Sequence, residues 1–346
     1  MLYFHNDYHD ACHPRVTDYL QKISGEQVNG YGVDPYCQSA AEKIKRLCDN
    51  EKLAVHFLVG GTQTNLTVIA ATVRPHQGVI SADTGHINVH ETGAIEATGH
   101  KVLAVPTADG KLTAKQIDDL VANHYSAEDA EHMVQPGMVY ISHPTELGTV
   151  YSLQELTEVS QACRRNGLKL FLDGARLGYG LTARGADITL ADLARLCDVF
   201  YIGGTKVGAM FGEAVVISDA AIARDFRYIM KQRGGMLAKG WLLGAQFDAL
   251  LEDDLYFEIS RHANAMADML RQCLKDLGVP MLAETVTNQL FPILPDDVLA
   301  KLKQEVIFTE MHRVDESHRA IRFCTSWASQ PQQVQLLCQR LQELMK

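Results

Sequence analysis

Tyr201–Gly212 reads YIGGTKVGAMFG: an apolar run from Asp198 to Ile202 ends in two glycines, Thr205 and Lys206 follow, and Gly208 and Gly212 lie beyond. Glycines on both sides let backbone approach a ligand closely. The flanking Val199, Phe200, Val207, Met210 and Phe211 would desolvate the amine of Lys206 and favour its neutral, reactive form. An amine so placed is a candidate Schiff-base former with a carbonyl compound. A structural lysine in a glycine-rich loop satisfies the same residues, and this stretch alone leaves both readings open.

Upstream, Phe171–Gly180 reads FLDGARLGYG, where a buried strand from Leu168 to Leu172 ends in Asp173 and Arg176 follows. Alone, Asp173 reads as a cap or turn residue. Taken with Lys206, it reads as the aspartate that pairs with the protonated ring nitrogen of pyridoxal phosphate. Earlier still, a strand Leu53–Val59 runs into GGTQTN and an apolar helix Leu66–Val73. A glycine-rich turn opening a helix offers free N–H groups and a positive dipole end to a phosphate. Neither a Walker lysine nor the full dinucleotide glycine pattern is present, and a plain turn capped by Thr62 or Thr64 is the alternative.

The same alternation continues along the chain. Strands are expected at Val79–Ser81, Val102–Val105 and Met138–Ser142, helices at Leu112–His124 and Leu153–Cys163, and a loop over 126–136. Repeated strand–helix–strand units with short buried strands imply an α/β fold with a mainly parallel sheet and helices on both faces. Ligands then collect at the carboxyl ends of the strands, where Gly61, Asp173 and Lys206 fall. Beyond a strand at Glu213–Ser218, helices at Asp219–Gln232 and a single long one over Gly240–Leu277 lead to short strands near Leu290 and Ile321 and a last helix, Gln332–Met345. The expected division is an arm over 1–30, a large α/β domain over 31–245 and a small α+β domain over 246–346.

Composition narrows the classes. A formal charge of −10 with scattered basic residues argues against a nucleic-acid surface. No apolar run approaches ~20 residues and no cationic-apolar leader is visible, so a cytoplasmic protein without a membrane span is expected. The cysteines form no CxxC pair and read as buried, reduced thiols. His5, His9 and His13 recur every four residues, but Asn6, Asp7, Asp10 and Pro14 favour an irregular segment. In GHINVHE, Ile87 stands where a zincin needs its glutamate, so no metal is expected, and the flat ring of His86 suits stacking on a planar cofactor. Arg322, in an apolar strand, reads either as an ion-pair partner or as a cleft residue.

The order GGTQTN, GHINVHE, ELGTVYS, LDGARL, GGTKVGAMFGE and RFCTSW resembles the low-specificity L-threonine aldolase branch of the β-eliminating lyase family, across nearly the whole chain. The resemblance implies a fold-type-I pyridoxal-phosphate-dependent, transferase-like architecture with a mostly parallel seven-stranded sheet. It implies cleavage of the Cα–Cβ bond of a β-hydroxy-α-amino acid, L-threonine or L-allo-threonine giving glycine and acetaldehyde. It assigns Lys206 to the cofactor aldehyde, Asp173 to the ring nitrogen, His86 to stacking, and Gly61, Thr62 and Thr205 to the phosphate. Arg176 and Arg322 would bind the substrate carboxylate, and Tyr31 would reach the substrate from a neighbouring subunit of a homodimer or homotetramer with shared sites. Two positions depart from the family: Asn6 stands where other aldolases carry a serine, and Glu146 where one branch has a histidine. His86, Glu146 or a bound water is then the base at the β-hydroxyl. Other pyridoxal-phosphate reactions on amino acids, a zinc hydrolase built on His5, His9, His86 and His90, and a non-catalytic binding protein are the alternatives.

Overall fold

Runs that are apolar at every position form strands covered on both faces, and Val199–Gly203 is buried along its whole length. The computed structural model describes residues 1–345. Its strands are β1 (Leu2–Tyr3), β2 (Ala54–Leu58), β3 (Gln77–Ala82), β4 (Val102–Val105), β5 (Gln135–Ser142), β6 (Lys169–Asp173), β7 (Val199–Gly203), β8 (Glu213–Ile217), β9 (Gln289–Leu290), β10 (Ile293–Pro295), β11 (Val306–Ile307), β12 (Thr309–Arg313) and β13 (His318–Cys324). The helices are α1 (Pro14–Ile23), α2 (Pro35–Leu47), α3 (Gly61–Thr72), α4 (His86–Val89), α5 (Ala114–Ser126), α6 (Leu153–Arg165), α7 (Leu177–Leu181), α8 (Leu190–Leu196), α9 (Ala220–Gln232), α10 (Trp241–Leu250), α11 (Leu255–Asp276), α12 (Asp296–Leu302) and α13 (Pro331–Leu344). Among the described residues no helix is long and apolar enough to cross a membrane.

Seven strands form one sheet in the order β2-β8-β7-β6-β5-β3-β4. Only β8 runs against its neighbours, pairing antiparallel with both β2 and β7. Alternate residues of each strand feed two separate apolar layers. Phe200 and Ile202 join Phe57, Ile141 and Leu172 under α2, α6, α8 and α10; Val199 and Tyr201 join Val79, Phe171 and Val215 under α3 and α9. Each such burial contributes about 1.5–3 kcal/mol, so a register slip of one residue would forfeit both layers at once.

The carboxyl half differs from the reading above in two ways. The long helix expected over Gly240–Leu277 is broken: Asp253 and Asp254 take left-handed backbone, with φ of 51° and 62°, and separate α10 from α11. Aspartate tolerates that region where most residues do not. The boundary expected near 245 falls inside α10, whose Leu243 and Phe247 belong to the large core. The apolar clusters divide along α11, with Ala263 in the large core and Met266 in the cluster of the carboxyl-terminal body. That body packs α11 and α13 against β10-β13-β12, with β9 alongside β13.

The amino-terminal arm is not one unit. β1 pairs in parallel with β11, and Phe4 is buried among the carboxyl-terminal apolar residues. The segment with His5, His9 and His13 is non-helical, and the rings of His5 and His9 stack 5.6 Å apart. All eight cysteines are free, seven of them buried.

Close backbone approach places α10 on α2. A Cβ at Gly244 would lie 2.5 Å from the Cα and 2.7 Å from the backbone nitrogen of Cys37. Backbone cannot swing aside as a side chain can, so Gly244→Ala is expected to lower stability by ~1–3 kcal/mol, read as an earlier midpoint in urea unfolding.

Candidate active site

The carboxyl ends of β2, β5, β6 and β7 meet a cavity of about 370 Å³. Gly61, Thr62, His86, Glu146, Asp173, Arg176, Thr205 and Lys206 all line it, although they come from five segments of the chain. The turn after β2 opens α3 with Gly60 at the cap position, and no side chain caps it. Its first-turn N–H groups are therefore free for an anion. Gly61 also leaves room: a Cβ there would lie 3.2 Å from the hydroxyl of Tyr201.

Asp173 sits buried under four donors. Its Oδ1 accepts from the Tyr201 hydroxyl at 2.5 Å and the Ala175 N–H at 2.9 Å. Its Oδ2 accepts from the Tyr140 hydroxyl at 2.5 Å and Asn65 Nδ2 at 3.1 Å. Burial and the Asp173 charge push both phenols far up, so they remain donors. The four donors replace the water that a buried carboxyl gives up.

Lys206 faces the opposite tendency. Burial and then the Arg176 charge lower its pKa, against the pull of Asp7, Asp173 and Glu213. A neutral amine is the nucleophilic form.

On a third wall, His86 Nδ1 lies 2.7 Å from Glu91 Oε1, which also accepts from Asn65 Nδ2 at 2.6 Å. That contact places the proton of a neutral His86 on Nδ1 and leaves Nε2 as an acceptor. Glu146 Oε1 accepts from the Ser142 hydroxyl at 2.6 Å and the His86 N–H at 2.9 Å, and burial pushes its carboxyl up. His143, its neighbour in sequence, is buried away from the cavity, and burial lowers its pKa to about 4.

Arg176 holds Asp7, Nε on Oδ2 at 2.7 Å and Nη2 on Oδ1 at 2.9 Å, and Asn288 Nδ2 adds a bond of 2.9 Å to Oδ2. Burial opposes ionisation of Asp7, but the charges of Arg176 and Lys206 outweigh it and hold the carboxyl at about 2. The guanidinium edge expected to be free for a substrate therefore carries an internal carboxylate.

Three expected residues do not line the cavity. Asn6 Oδ1 accepts from the Tyr8 N–H at 3.0 Å, and it is Tyr8 that reaches the cavity. Arg322 Nη2 donates to the His5 carbonyl at 3.1 Å, while its Nε is buried without a partner. Tyr31, 46% exposed with φ of 64°, lies on a separate surface cleft with Arg227 and Lys231, the Lys231 amine 4.9 Å above its ring.

Asn65, Glu91 and Glu213 escaped the sequence reading although each lies inside a quoted motif. Their signal was a polar residue that has to be buried beside a glycine turn. Tyr140, Tyr201, Asp7 and Asn288 carry no local signal, since their partners are distant in sequence.

An uncapped helix end for a phosphate, a carboxylate for a ring nitrogen and a desolvated lysine for an aldehyde match the three anchor points of pyridoxal phosphate, so the residues fit that cofactor. The fold agrees: a Thermus thermophilus aspartate aminotransferase superposes with a TM-score of 0.74 at 15% identity, covering 99% of this chain and 91% of that one. The architecture is that of the fold-type-I pyridoxal-phosphate enzymes. Within that class the chain belongs to the β-eliminating lyase family, whose model matches residues 17–296. It is 29% identical over 303 residues to a low specificity L-threonine aldolase of Pseudomonas aeruginosa, covering 87% of this chain and 86% of that protein. A solved structure of a Leishmania major threonine aldolase superposes over 100% of both chains with a TM-score of 0.97 and 43% identity.

The Asp7–Arg176 pair has a consequence for stability. Asp7 is depressed from an ordinary 3.8 to about 2, so its stabilising effect is present above pH 4 and is lost as pH falls through 2. Asp7→Asn leaves the Arg176 charge buried without its partner and is expected to cost ~3–5 kcal/mol near neutral pH. The gap between variant and parent should narrow as denaturant unfolding is repeated at pH 4, 3 and 2.

Proposed function

We propose that this protein is a pyridoxal-phosphate-dependent aldehyde-lyase that cleaves L-threonine or L-allo-threonine to glycine and acetaldehyde. The observation that carries the reading is the convergence of Lys206, Asp173 and the uncapped end of α3 on one cavity. When bound, pyridoxal phosphate supplies an electron-withdrawing ring that stabilises the carbanion left by Cα–Cβ cleavage.

The protein's residues divide the remaining work. Lys206 presents a neutral amine to the cofactor aldehyde, and Asp173, fixed by its four donors, pairs with the ring nitrogen. The first-turn N–H groups of Gly61 and Thr62 would hold the phosphate; Thr205 lines the same cavity, with its hydroxyl proton on Glu213. Arg176 has Nη1 left for the substrate carboxylate, and Arg322, which lies outside the cavity lining with an unpartnered Nε, would turn toward it as a second cation. His86 would stack on the cofactor ring and take the β-hydroxyl proton on Nε2, because Glu91 holds Nδ1. Glu146 already accepts from Ser142 and the His86 N–H, so it positions α4 and leaves the proton transfer to the imidazole. Tyr31 and the cations beside it form an exposed cluster remote from the chain's own cavity, which supports a homodimer in which it completes the site of the other protomer.

The test is an absorption spectrum with added pyridoxal phosphate, then acetaldehyde release from L-threonine in a coupled assay. A yellow protein that produces acetaldehyde is expected. Lys206→Ala should lose both the covalently held yellow band and turnover, and a variant that keeps full activity overturns the reading.

A further inference from the structure

Glu213 opens β8 opposite Leu58 of β2 and Gly203 of β7, which puts it at the same strand ends as Lys206 and Asp173. It is 3% exposed and lines the same cavity. The Thr205 hydroxyl donates to its Oε1 at 3.2 Å and accepts the Gly212 N–H at 3.0 Å, so the carboxyl is held by one oxygen. Oε2 is buried with no partner. A buried carboxylate oxygen left unbonded is costly unless the group is protonated or meets a cation. Of the cations lining the cavity, Arg176 already carries Asp7, which leaves Lys206.

Resting on the assignment of Lys206 to the cofactor aldehyde, we propose that Glu213 is the proton store for Lys206. It carries the proton as a carboxylic acid while Lys206 is a free amine, and passes it to Nζ once that nitrogen is bonded to the aldehyde carbon. The balance is simple. Condensation releases water made of the carbonyl oxygen and both amine hydrogens; then the O–H bond of Glu213 breaks and an N–H bond forms at Nζ, with no change of oxidation state. Release of the lysine returns the proton to Glu213.

The surroundings favour that division. Burial, and Asp173 beyond it, push Glu213 up to about 8 against the pull of Lys206, while burial and Arg176 push Lys206 down. In a buried pair both charges are penalised, so the neutral acid and neutral amine are the cheaper state. Tyr201 on β7 and Tyr256 on α11 also face Glu213, but burial holds both phenols protonated. Asp7 and Arg176 largely cancel one another as a bidentate pair. His90, at the end of α4, is kept neutral by burial and by His86, Arg322 and Lys206.

The experiment is a pH titration of the yellow band of the protein loaded with pyridoxal phosphate. With a carboxylate in the same cavity, the bonded nitrogen of Lys206 holds its proton to higher pH. Glu213→Gln keeps the shape and removes the charge, so the midpoint should fall by about 1 pH unit or more, with Glu213→Asp in between. An unchanged midpoint in Glu213→Gln overturns the proposal, because a purely structural glutamate would not move it. Should the variants fail to fold, infrared difference spectra of the unmutated protein on adding pyridoxal phosphate decide: loss of a carboxylic-acid band is expected, and its absence overturns the inference. If the unmutated protein gives no yellow band, the assignment of Lys206 fails and this inference with it. A yellow protein with an insensitive midpoint loses the inference alone.

Discussion

A carboxylate cannot remain charged at the buried end of a parallel strand unless donors replace the water it gives up. Around Asp173 that water is replaced by two phenols, an amide and a backbone N–H. Each donor brings a different element: Tyr140 from β5, Tyr201 from β7, Asn65 from α3. The sheet order, with β6 between β5 and β7, is what sets the tyrosines on either side. The same two phenols are packed in one apolar layer, so core packing and site geometry are solved by one set of side chains.

Around that anchor the ionisable groups form a chain of dependence that joins the parts of the molecule. Asn65 bridges Asp173 and Glu91, and Glu91 orients His86. On the other side, Arg176 follows Asp173 by one short turn and grips Asp7 of the amino-terminal arm, which Asn288 of the carboxyl-terminal body also holds. The arm is thereby tied to both bodies by charge, as β1 and Phe4 tie it to the second by pairing and packing. Removing one link of such a buried network leaves a charge or lone pair without compensation, which is why its members are coupled.

Much of this was legible beforehand, for a physical reason. Strand–glycine–helix junctions are local signals, since apolar runs, turn residues and helix openings act within a few positions. Hence the α/β sheet, the Gly61 turn, Asp173 and Lys206 could be read directly from the chain and fell at strand ends as expected. The helix expected over Gly240–Leu277 misled because its apolar periodicity continues through Asp253 and Asp254, while the break depends on two residues adopting a rarely used backbone region.

By itself, then, the sequence determined the fold class, the strand ends that line the cavity, and the lysine and aspartate on them, because short-range patterning dictates secondary structure and strand burial. Only the tertiary structure decided which polar groups meet. It gave Arg176 to Asp7, 169 residues away, put Tyr31 on an outer cleft, and left Oε2 of Glu213 without a partner in the cavity that Lys206 also lines. Those outcomes rest on desolvation and pairing between groups remote in the chain, and no local pattern encodes them.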